Sequence, residues 1–169
     1  MYSIKLFFSL LLAFIFSSIL ISFFILFQNT VWNIFWLKTQ GFDISFFVLV
    51  ESFLHDLRGG LSPILMQWGI PINMYSVIFI ALFFGYLLTA IIRFIIPLNS
   101  MFSSGFAGLI SVYGIIFYTR ITFDGIVLIS STRELIGLLI FCLIGFFGGI
   151  FFNQLKEFFL KVLTYEKNN

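Results

Sequence analysis

The chain is 169 residues long, 61% hydrophobic and only 9% charged, with a mean hydropathy of +1.14 and a formal net charge of +2. Soluble domains carry about 25% charged residues, so this composition excludes a soluble globular protein and describes an integral membrane protein with the lipid bilayer as its solvent. A net charge this small, with Lys and Arg scattered singly, does not suggest nucleic acid as a partner; none is expected, and lipid headgroups are left as the basic contact.

The first apolar run, 6–27, is close to the roughly 20 residues that a helix needs to cross about 30 Å of hydrocarbon. Lys5 in front of it resembles the start of a signal peptide. The run is longer than the ~7–15 residues of a signal core, however, and Ser17-Ser18 lies inside it instead of after it, so an uncleaved anchor is expected.

Segment 28–73 reads as an extracytoplasmic collar over the bundle. It holds a helix at 43–58, with Asp43 available as N-cap and Gly59-Gly60 as a stop. At 100° per residue Glu51, Ser52, His55, Asp56 and Arg58 share an arc of about 160°. Phe46, Leu49, Val50, Phe53, Leu54 and Leu57 fill the opposite side, which predicts an amphipathic helix lying in the interface plane. Trp32, Trp36 and Trp68 flank it, and Pro63 and Pro71 break the path before the next span.

Two further runs, 74–92 and 101–119, are joined by the short Pro97-Leu98-Asn99-Ser100 connection, which predicts antiparallel neighbours. Within 121–129 a central Asp124-Gly125 between β-prone residues signals a small hairpin. Ser131 and Glu134 fit a capping box opening the fourth run, 135–152. In the tail, 153–169, Leu155, Phe158, Phe159, Val162 and Leu163 share one face while Glu157 and Lys161 point away, so an amphipathic extension of the fourth helix is expected. The fold class is therefore an all-α integral membrane protein: one membrane domain of four transmembrane helices, with an interfacial amphipathic helix between the first and second spans.

Small residues give the spans their faces. Ala81, Gly85 and Thr89 recur at every fourth residue, and Ser104, Ala107, Gly108, Ser111 and Gly114 fall within about 120° of one another. In the fourth span Gly145 and Gly149 form a GxxxG pair, and Gly137, Gly145 and Gly148 lie within an arc of about 80°. A phosphate-binding glycine loop needs free amides before a helix N-terminus, whereas these glycines sit inside a span whose amides are already bonded. They are read as helix-packing positions, with the third helix as the expected neighbour of Gly145 and Gly148.

Candidate functional charges are few. Arg93 continues the Ala81-Gly85-Thr89 stripe at the end of its span, and Arg133 begins the face bearing Gly137 and Gly148. His55, the single histidine, follows Glu51 by one turn and adjoins Asp56, and on a water-facing helix side this set falls short of a metal site. Cys142 stands alone in mid-span, which excludes an intramolecular disulfide and thiol-relay chemistry. The 27 phenylalanines accompany only four alanines, a bias with the look of an AT-rich genome, and carry no functional weight.

With no acidic residue at a span centre and no Ser/His pairing, neither a proton-coupled carrier nor an enzyme is expected, and no cofactor or metal. The flanking charges favour cytoplasmic N- and C-termini in a bacterial inner membrane: Lys5, Arg93, Lys156, Lys161 and Lys167 on that side against Lys38, Arg58, Arg120 and Arg133 opposite. The expected role is a scaffold, assembly factor or accessory subunit whose partner is another membrane protein or a second copy. The alternative is a small oligomeric channel or transporter with Arg93 or Arg133 near the permeation path.

Overall fold

The computed structural model describes residues 2–61, 63–67, 70–126 and 129–165. Its elements in chain order are α1 (Tyr2–Thr39), α2 (Phe46–Gly59), a two-stranded antiparallel ribbon of β1 (Pro63–Gln67) and β2 (Ile70–Asn73), α3 (Met74–Ile95), α4 (Ser100–Thr122), a 3-10 turn (Ser130–Arg133) and α5 (Leu135–Tyr165). Four of the helices, α1, α3, α4 and α5, are long and apolar enough to cross a membrane.

α1 runs without a break through 28–39, so the segment expected to open the collar is helix and carries Trp32 and Trp36 with it. The sequence there contains no Pro or Gly and offers nothing to stop a helix. The collar proper begins after Thr39, where Gly41 turns the chain at φ +88°. α2 starts later than expected: Ser45, and not Asp43, is its N-cap residue. The Gly60 N–H closes the other end on the Asp56 carbonyl at 2.8 Å. Pro63 and Pro71 lie in the ribbon, where Pro71 faces Met66; Trp68 falls outside the described residues.

The ribbon delivers the chain to α3, whose N-cap Asn73 accepts the Ser76 N–H at 2.8 Å. Asn99 does the same for α4 through the Met101 N–H at 3.0 Å, and the connection between the two helices is short. The expected hairpin at 121–129 is not formed. Ile121 and Thr122 belong to α4, and Asp124 and Gly125, both at positive φ, fold the chain back so that the Gly125 N–H reaches the Arg120 carbonyl at 2.7 Å. Val127 and Leu128 lie outside the described residues. An Asp-Gly pair suits a turn of either origin, and here the helix C-terminus claims it.

Around the bundle the order is α3, α4, α5, α1. The most extensive contact is between α4 and α5, α1 packs along α5, α3 packs along α4, and α1 meets α3 only narrowly. That narrow meeting is aromatic: the Phe14 ring stands edge-on to Phe79, Phe83 and Tyr86 at 5.7, 6.2 and 6.4 Å. The middle of the bundle is filled by Ile21, Ile25, Ile78, Leu82, Val112, Ile115 and Phe141. Two buried hydroxyls return to their own helix, Ser22 to the Ser18 carbonyl at 2.8 Å and Ser111 to the Ala107 carbonyl at 2.7 Å, which removes the cost of leaving them unpaired in an apolar core.

Among the described residues three hydrogen-bonded rungs tie α1 to α5, the outermost from the Lys5 ammonium to the Leu163 carbonyl. Near the termini the Ser9 hydroxyl donates to the Lys156 carbonyl, and at the other end the Gln28 amide donates to the Gly137 carbonyl at 3.2 Å. The tail beyond 152 is continuous α-helix as far as Tyr165, with Phe159 against Phe16 of α1.

Candidate functional site

The helix seam is built from backbone. A side chain on Gly108 would collide with the Gly145 carbonyl, one on Gly145 would lie 2.6 Å from the Gly108 carbonyl oxygen and 2.8 Å from Val112 Cγ2, and one on Gly149 would collide with the Ser104 carbonyl. Close backbone approach gives α4 and α5 the packing contact that lipid does not otherwise supply. Gly148 looks elsewhere: its nearest neighbour is the Ile21 side chain of α1, so the expectation that Gly145 and Gly148 share one partner is corrected. α5 stands between α4 and α1, and the roughly 60–100° that separates Gly148 from Gly145 and Gly149 on the helix is enough to assign them to different neighbours. Gly137 abuts the Ser131 carbonyl of the 3-10 turn.

The stripe on α3 divides as well. Gly85 packs on Ser111, and with Ala81 it lines a lateral groove of about 450 Å³ between α3 and α4, where Gly114 has open space around it. Thr89 lines a different groove, between α1 and α3. Four-residue steps overshoot the 3.6-residue turn by about 40° each, so a stripe of this spacing winds from one neighbour to the next.

Arg93 follows Thr89 into the α1/α3 groove and is half-buried there. Lys156 of α5, near enough for the two cations to repel, lines the same groove; its Nζ donates to Asn153 Oδ1 at 2.9 Å, and Asn153 Nδ2 donates to Glu157 at 2.9 Å. Sequence reasoning gave Lys156 no role beyond its charge. A signal was present in its spacing from buried Asn153, three residues earlier and so on the same helix face.

At the opposite end the polar groups of α1, α2 and the 3-10 turn meet. Asp56 was expected on the water-facing arc of α2, yet it turns inward, and its Oδ2 accepts the Thr30 hydroxyl of α1 at 2.5 Å. Phe53 packs edge-on against Phe23 and Phe27 at 5.1 and 5.4 Å, and the Tyr75 hydroxyl reaches the Leu57 carbonyl at 2.8 Å. Leu54, Phe46 and Phe47 remain exposed. His55 and Glu51 stand on the rim of a polar groove of about 400 Å³ that also holds Asn33, Ser52 and Asp56. The His55 side chain is 86% exposed, with Nδ1 3.9 Å from Asp56 Oδ1. Among the described residues no three His, Cys, Asp or Glu side chains come together as a metal site.

The expected capping box is replaced by a cross-helix network. Ser131 donates to Gln28 Oε1 at 3.2 Å, and the Ser130 hydroxyl lies between Asn29 Oδ1, at 2.9 Å, and Asn33 Oδ1, sharing its one hydrogen between them. Ser131 is thus consumed by α1, Glu134 is exposed, and Arg133 ends the 3-10 turn at the surface. The sequence reading also left α1 without a small-residue face. Ser9, Ala13 and Ser17 recur at every fourth residue and are fully buried. Compared with protein-family models, curated proteins and solved structures, the chain matches none.

Proposed function

We propose that the chain is a non-enzymatic membrane subunit, a scaffold, assembly factor or accessory protein that acts through side-to-side contact with another membrane protein. The observation that carries this reading is the direction of its grooves. The middle of the bundle is packed with apolar side chains, while the α3/α4 groove opens sideways, with Ala81, Gly85 and Gly114 at its floor and Ile80, Phe84 and Leu88 at its rim. Small residues beneath an open groove allow a foreign helix to approach closely, and α3 itself buries only Ile78 and Leu82 fully.

In this reading the molecule sits in a bacterial inner membrane with both termini cytoplasmic, as the flanking lysines favour. α2 lies at the outer interface, held to α1 by Phe53 and Asp56, with Phe46, Phe47 and Leu54 directed into the lipid boundary. The channel or transporter alternative has one observation in its favour, the half-buried position of Arg93 beside Lys156. The filled middle of the bundle weighs against a path through a single copy.

The test is a photo-reactive phenylalanine analogue at Phe84, in the α3/α4 groove, and a second at Phe102, on an exposed face of α4, as control, in cells. Crosslinks from position 84 to one defined membrane protein, or to a second copy, support the reading. Crosslinks to lipid alone from both positions overturn it.

A further inference from the structure

The α1/α3 groove carries a chemistry of its own, separate from the partner surface between α3 and α4. Its volume, about 640 Å³, falls in the range of roughly 300–1,000 Å³ typical of small-molecule sites. Phe14 closes one end, in edge contact with Phe83 and Tyr86. Tyr86 is stacked on Phe152 at 4.2 Å and forms part of the inner wall. From there the groove runs between Leu10 and Leu87 to Arg93 and Lys156.

Length and charge together select an occupant. Phe83 and Arg93 are ten residues apart on α3, about 15 Å along the helix axis, which is half of a roughly 30 Å hydrocarbon core. The groove is thus one leaflet deep, apolar along its length and doubly cationic at its boundary end. No acidic side chain lines it; Glu157, the next residue on α5, accepts from Asn153 and offsets part of the Lys156 charge from outside the groove. Among the described residues Arg93 has no acidic partner, and Lys156 spends one donor on Asn153. Two cations held close together and half-buried repel each other unless an anion lies between them. A phosphodiester has two anionic oxygens, so the Arg93 guanidinium and the Lys156 ammonium, which line the same groove, can each give a charge-assisted hydrogen bond to one of them.

We propose that this groove binds a membrane phospholipid with a net negative headgroup, its phosphate on Arg93 and Lys156 and an acyl chain lying along Leu10, Leu87 and Phe83. The lipid comes from the leaflet on the side of the chain termini, because the cationic end of the groove is level with the Ser9–Lys156 rung. Association with a partner subunit at α3/α4 is not required for it.

Native mass spectrometry of the full chain in mild detergent, titrated with phosphatidylglycerol and phosphatidylcholine of the same acyl chains, tests this. The wild-type chain is expected to hold phosphatidylglycerol at least about tenfold more tightly, because both lipids offer the same phosphate but the choline cation of the second is repelled by Arg93 and Lys156. Arg93→Gln and Lys156→Gln, singly and together, should reduce that preference, and Ala90→Trp, which fills the groove from its exposed edge, should weaken both lipids. Thermal melting followed by circular dichroism checks that each variant is folded, and the single variants and Ala90→Trp keep the comparison if the double variant is not. Equal binding of the two lipids, an unchanged preference in the folded charge variants, or unaltered binding in Ala90→Trp overturns the proposal. So does displacement of the bound lipid by millimolar inorganic phosphate, which would mark a free-anion site.

Discussion

Gly108 of α4 and Gly145 of α5 touch through their backbones, and each occupies the space in which the other's side chain would have to lie. Replacing Gly108 by Ala therefore forces the two helices apart along their most extensive contact, with an expected loss of about 1–3 kcal/mol. Gly148→Ala meets the Ile21 side chain instead, which can change rotamer for about 0.5–1.5 kcal/mol. Denaturation in mixed detergent measures both. Ile21→Val should recover part of the Gly148→Ala loss and none of the Gly108→Ala loss; equal behaviour of the two glycines would refute the division of α5 between its neighbours.

The docking of α2 on α1 rests on Phe53 and Asp56. Each edge-on aromatic pair contributes about 0.5–1.5 kcal/mol, so Phe53→Ala, which removes the contacts with Phe23 and Phe27, should raise amide exchange across Phe46–Gly59 by one to two orders of magnitude, or about 1.4 kcal/mol per tenfold. Leu54→Ala, on the exposed side, should leave exchange in detergent nearly unchanged. If Leu54 proves the more sensitive position, the helix is held by its surroundings and not by α1.

Gln28 accepts from the Ser131 hydroxyl through Oε1 and donates to the Gly137 carbonyl through Nε2. Gln28→Leu keeps the volume, strands the buried Ser131 hydroxyl and removes a second bond to the Gly137 carbonyl, which keeps its place in the α5 backbone ladder, at a cost of about 1–3 kcal/mol. Asn29→Ala loses a contact to the partly buried Ser130, where solvent can substitute, and should cost less. Thermal melts of the two variants give the order.

Topology can be read with cysteines introduced into a Cys142→Ser background. Gln40 and Thr164 are exposed at opposite ends of the bundle. Gly41 is unsuitable, since its φ of +88° would strain any side chain. A membrane-impermeant maleimide applied to intact cells should label Gln40→Cys and spare Thr164→Cys. The reverse pattern would invert the assigned orientation.

The four spans were legible because length and hydropathy alone define a crossing helix. Their limits were less so. α1 passes through Gln28, Asn29 and Asn33 without interruption, because these polar residues are met by Ser130 and Ser131, a hundred residues away in sequence, and no local signal announces that. A partner on another helix also hid the inward turn of Asp56: a helical wheel places it beside Glu51 and His55, and the Thr30 hydroxyl, 26 residues earlier, makes burial of that edge favourable. Small-residue spacing marked the faces of α4 and α5, but a wheel does not say which glycine meets which neighbour. Arg93 was visible as a charge at a span end; the cation opposite it belongs to another helix.

The Ser9 and Gln28 rungs have a consequence for membrane thickness. They lie nineteen residues apart on both helices, from Ser9 to Gln28 and from Gly137 to Lys156, a rise of about 29 Å. α1 and α5 thus form a strut with polar fastenings at each end, matched to an ordinary hydrocarbon core. A thicker bilayer would draw the Gln28 and Ser9 groups into hydrocarbon, and a thinner one would be met by tilting the strut as a unit, since neither helix can slide past the other without breaking a rung. Tilt would carry α2 with it through Phe53 and Asp56. If α2 lies in the interface as proposed, its depth is geared to the thickness of the membrane around it.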